Sequence, residues 1–67
     1  MKYSLEGIDT IHGLRQYVLK AMNEMKLGSF EIHEFKMQID KYDFAYAYQV
    51  AKDYVEELNR LADCLTN

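Results

Sequence analysis

Sixty-seven residues with a formal charge of −3, an apolar share of 49% and no proline leave room for one small domain and none for a second. The apolar share is too high for a disordered chain, and the acidic balance opposes the counterion release behind most nucleic-acid affinity. No apolar run reaches the roughly 18 residues of a membrane span.

The opening MKYSLEGIDT lacks the apolar core of a secretory signal. Cys64 is the single cysteine, so no intramolecular disulfide can staple the fold, and the expected compartment is the reducing cytoplasm. Glycine occurs only at positions 7, 13 and 28. With so few turn-forming residues the leading class is all-α, a three-helix unit over about 10–27, 30–40 and 43–65.

Residues 1–8 carry no helical period. KYSLEG reads as an extended arm, a short strand, or an extra turn capped by Ser4. Beyond it Ile11, Leu14, Val18, Ala21 and Met25 recur at spacings of three and four, with Met22 widening the stripe, which predicts an amphipathic helix. Asp9 or Thr10 can cap its start, and Gly28 is placed to end it in a left-handed conformation. Gly13 weakens the first turn by about 1 kcal/mol relative to alanine.

The segment SFEIHEFKMQID is ambiguous. Ile32, Phe35 and Ile39 share a helical face, whereas Phe35, Met37 and Ile39 also alternate as a strand would. Its Glu, Lys, Met and Gln favour a helix with Ser29 as N-cap; the alternative is an α+β fold with 30–39 as a strand.

From Phe44 through Ala47, Ala51, Tyr54, Leu58, Leu61 and Leu65 the three-four spacing is unbroken, predicting a long C-terminal helix with a near-heptad seam. Asp43 suits its N-cap, Tyr42 could staple onto Ala47, and Glu56 and Arg60 stand four apart. The step from Ile39 to Phe44 turns the stripe by a net angle of about 140° at about 100° per residue. One straight helix cannot hold both stripes on one side, so a corner falls at residues 40–43.

Chemistry-bearing patterns are sparse. Ser4, Ser29 and Cys64 with His12 and His33 form no nucleophile signature. Asp9 and His12, or Glu31, His33 and Glu34, fall short of a bundle carboxylate site or a zinc ligand set. No glycine-rich phosphate loop is present. No catalytic residue, cofactor or metal is therefore expected, and the chain does not read as an enzyme. Met22, Met25 and Met37 read as core gap-fillers.

What remains is surplus apolar and aromatic surface, since Leu19 and Val50 sit at the outer edges of wide stripes. Projection of the third helix puts Tyr48 and Tyr54 on opposite shoulders and aims Tyr46 away from the core. The candidate interface is Leu19, Tyr46, Val50, Tyr54 and Leu61. The expected function is that of a non-enzymatic, small acidic helical interaction protein, an adaptor, inhibitor or regulatory subunit of a size suited to a phage or mobile element. Its partner would be an unidentified protein, and its expected state is a homodimer. The alternatives are a dimeric DNA-binding regulator using Arg15, Lys20 and Lys26, and a small-molecule or nucleotide sponge.

Overall fold

A computed structural model describes residues 2–66. Three helices follow in order: α1 (Ile11–Glu24), α2 (Ser29–Ile39) and α3 (Phe44–Thr66). The ambiguous middle segment is helical, and there is no strand among the described residues. Its mixed signal has a physical origin. Phe30 and Met37, two helical turns apart on one face, stand 72% and 61% exposed, while Phe35 and Ile39 on the other face are fully buried. Apolar residues on both faces blur the period, and Met37 is not the core filler its type suggests.

α1 begins at the Thr10 cap, whose hydroxyl accepts from the Gly13 N–H at 2.9 Å. A Cβ at position 13 would lie 2.9 Å from both that hydroxyl and the Ile8 side chain. The glycine that weakens the turn therefore makes room for its cap. The helix stops earlier than the stripe implies, at Glu24, through a Schellman arrangement. The Leu27 N–H reaches the Met22 carbonyl at 3.0 Å and the Lys26 N–H reaches the Asn23 carbonyl at 3.1 Å. The left-handed residue is Lys26, with φ 58°, and not Gly28, which is extended and occupies the N-cap position of α2. Ser29 is accordingly the first helical residue rather than the cap.

The corner at residues 40–43 is present, and Asp43 caps α3 by accepting from the Tyr46 N–H at 3.0 Å. Tyr42 is 62% exposed and meets the Tyr46 ring edge-on at 4.8 Å. On the wet side Arg60 pairs with Glu57 rather than with Glu56. α2 runs back along α1, because Arg15 near the start of α1 lies 4.0 Å from Asp40 past the end of α2. α3 runs back along α2, as Gln38 meets Tyr46 and Phe35 meets Tyr54.

The core gathers Leu14, Val18, Ala21 and Met22 of α1, Phe35 and Ile39 of α2, and Ala47, Ala51, Val55 and Leu58 of α3. Phe44 and Leu65, the two ends of the expected α3 seam, are 37% and 77% exposed. At 23 residues α3 is longer than its neighbours of 14 and 11, and a rise of about 1.5 Å per residue carries its ends past them. Val55, Asn59 and Ala62 are buried as well, turning the covered sector toward the N-terminal segment.

That segment is an extended strap. Tyr3 and Leu5 are buried while Lys2, Ser4 and Glu6 are exposed, the period-two alternation of extended backbone. Asn59 accepts from the Tyr3 N–H at 2.8 Å and donates to the Tyr3 carbonyl at 2.9 Å. The Tyr17 hydroxyl accepts from the Ser4 N–H at 2.9 Å, and the Tyr3 hydroxyl donates to Glu24 at 3.2 Å. A turn closed by the Ile8 N–H on the Leu5 carbonyl, with Gly7 at φ 87°, then leads into α1.

Candidate functional site

Three of the five sequence-derived interface residues converge. Tyr46, Val50 and Tyr54 stand one turn apart on the flank of α3 that faces α2, and with Gln38, Gln49 and Asp53 they line an open cleft of about 280 Å³. The spacing that puts them there is the i, i+4, i+8 row of an α-helix. Leu61 lies further along α3 and Leu19 on α1; both are half-buried and outside the cleft.

Tyr46 is not the detached ring that projection of an isolated helix implies. Its hydroxyl donates to Gln38 Oε1 at 2.7 Å across the α2–α3 seam, and the residue is half-buried. The projection knows only one helix, whereas α2 packs close enough to receive the phenol. Tyr54 turns its ring edge-on to Phe35 at 5.1 Å and 70°, a favoured aromatic geometry. Burial raises the pKa of its hydroxyl, and the negative charges of Glu34 and Glu31 raise it further. Gln49 Nε2 donates to Asp53 Oδ1 at 3.0 Å on the outer rim.

The floor is thus Val50 between two tyrosines, and the rim is amide and carboxylate. Nothing in the lining is cationic, and the nearest α2 charges felt by Tyr54 are acidic. Such a surface offers apolar contact with acceptor groups around it.

Two further clefts flank the strap. One, of about 250 Å³, lies between Lys2, Tyr3, Tyr17, Lys20 and Glu24; the other, of about 180 Å³, lies between Tyr3, Leu5, Tyr48, Lys52, Glu56 and Asn59. Burial of the Tyr3 ring raises its hydroxyl pKa, and its bond to Glu24 adds to the effect. Sequence reasoning missed both clefts because they exist only once the strap has docked.

Cys64, His12 and His33 are all exposed. Among the described residues no cluster of three or more His, Cys, Asp or Glu is placed to hold a metal ion. No helix among them is long and apolar enough to cross a membrane. Compared with known proteins, the chain matches no protein-family model, no curated protein and no solved structure. The small three-helix unit and its α2–α3 cleft are therefore the ground for a functional reading.

Proposed function

We propose that this chain is a non-enzymatic interaction protein, a small acidic helical module that binds a larger protein and modulates it. The observation that carries this reading is the convergence of Tyr46, Val50 and Tyr54 on one open cleft. Tyrosine is enriched at interface cores because its ring buries well while its hydroxyl stays hydrogen-bonded. Immobilised protein should retain a specific protein from a lysate of its source, and Val50→Glu, which puts a charge on the cleft floor, should abolish retention while leaving the helical circular dichroism intact. Equal retention by both forms, or none by either, would remove the reading.

A homodimer is supported by a separate observation, the exposure of Phe30 and Met37 on the outer face of α2. Antiparallel pairing of two α2 helices about a two-fold axis at Met37 sets Met37 against its copy. Light scattering should then give twice the 7.9 kDa chain mass, and Met37→Glu should return it to the single mass. A monomeric wild type would contradict self-pairing without touching the cleft.

A further inference from the structure

We infer that the Tyr46–Val50–Tyr54 cleft seats a cationic side chain, an arginine above all, presented by a basic segment of the partner protein; this rests on the interaction-protein reading and names the chemistry of the partner.

The argument begins with a count of acceptors. One Nε2 hydrogen of Gln49 is bonded to Asp53 Oδ1, which leaves lone pairs on Gln49 Oε1 and Asp53 Oδ2 for an incoming donor. Gln38 Oε1 accepts one bond from the Tyr46 hydroxyl and keeps a second lone pair. The cleft is thus rich in acceptors. A guanidinium has five donors in a planar fork and no acceptor, so the two inventories are complementary.

The aromatic walls agree with this. Tyr46 and Tyr54 bracket Val50, and an arginine stem lies well against an apolar floor while its head is held near aromatic rings. Electrostatics favours the same occupant. The lining contains Asp53 and no lysine or arginine, and Glu31 and Glu34 extend the negative potential along the α2 side of Tyr54. An uncharged apolar occupant would desolvate the Asp53 carboxylate with nothing to pair it. An anionic occupant would meet repulsion.

The test is a nuclear magnetic resonance titration of the intact chain with a six-residue arginine peptide and with its neutral citrulline counterpart, which keeps the shape and removes the charge. Shifts on the arginine peptide should concentrate at Gln38, Tyr46, Gln49, Val50, Asp53 and Tyr54. Asp53→Asn should weaken binding about tenfold, the scale of one lost charge-assisted hydrogen bond. Glu6→Gln removes the same charge from the exposed segment ahead of α1, outside the cleft, and should leave the affinity within about twofold. Equal binding of the citrulline peptide, equal weakening by the two variants, or shifts spread over every acidic side chain would each overturn the proposal. A lysate partner that is lost with Val50→Glu but retained by Asp53→Asn would also overturn it, while leaving the interaction-protein reading in place.

Discussion

Asn59 and Tyr3, 56 residues apart in the chain, are joined as if they were paired strands: the side-chain amide accepts from the Tyr3 N–H at 2.8 Å and donates to the Tyr3 carbonyl at 2.9 Å. Asn59 is the buried polar residue of the core region, 6% exposed, and it satisfies both main-chain groups of a strap that has no sheet to join. Replacement by leucine keeps the volume and strands both groups. The expected loss is about 2–4 kcal/mol, a large share of the roughly 3–10 kcal/mol available to a chain of this length. Urea unfolding of Asn59→Leu checks it, and a midpoint equal to wild type would show that the strap does not depend on the pair.

Tyr3 and Tyr54 make stability depend on pH at the alkaline end. Both phenols have folded pKa values raised above the ordinary 10.0, burial being the first cause in each. The folded state therefore holds these protons more tightly than the unfolded chain does. Their contribution is complete below about pH 10 and is lost as pH rises through the raised folded values. Ultraviolet titration should show Tyr3 and Tyr54 ionising above the ordinary tyrosine value. Tyr3→Phe and Tyr54→Phe should each remove one late component and flatten the fall in stability above pH 10.

Two backbone positions should respond to substitution in opposite directions. Lys26 holds φ 58°, a conformation that costs a non-glycine residue roughly 1–2 kcal/mol; Lys26→Gly is expected to stabilise by up to about 1 kcal/mol once the greater freedom of unfolded glycine is subtracted. Gly7 holds φ 87° with open space around its Cα, so Gly7→Ala meets no clash and should still destabilise by about 1 kcal/mol through backbone strain alone. Thermal melts of the two variants bracket the wild type if the Schellman end of α1 and the strap turn are as described.

Tyr46→Phe isolates the α2–α3 hydrogen bond from the ring. It leaves Gln38 Oε1 without its 2.7 Å donor and should cost about 1 kcal/mol in chemical denaturation. In the titration with the arginine peptide it should change affinity less than Asp53→Asn does, since the freed Gln38 oxygen becomes available to the ligand.

The helices were legible because their signals are local. The Ala47, Ala51 and Leu58 spacing, the Asp43 cap and the 140° change of phase between Ile39 and Phe44 each depend on residues within a few turns of one another. The cleft was partly legible for the same reason, since Tyr46, Val50 and Tyr54 share a helical row. The strap was not. Lys2 to Glu6 alternates polar and apolar over too few residues to distinguish a strand from a tail, and the pairing that fixes it comes from Asn59 at the other end of the chain. Tyr46 was misjudged because a helical wheel assigns exposure relative to one axis, while its hydroxyl is claimed by a neighbouring helix. At Lys26 the usual preference for glycine at a left-handed position pointed two residues too far along.

Methyl and aromatic spectra of the chain, recorded as the captured partner is added, bear most directly on the α2–α3 cleft as the binding surface. The expected result is selective perturbation of the Val50 methyls and the Tyr46 and Tyr54 rings, with Phe30 and Met37 unchanged by the partner. Perturbation confined to Phe30 and Met37, with Val50 silent at saturation, would contradict it.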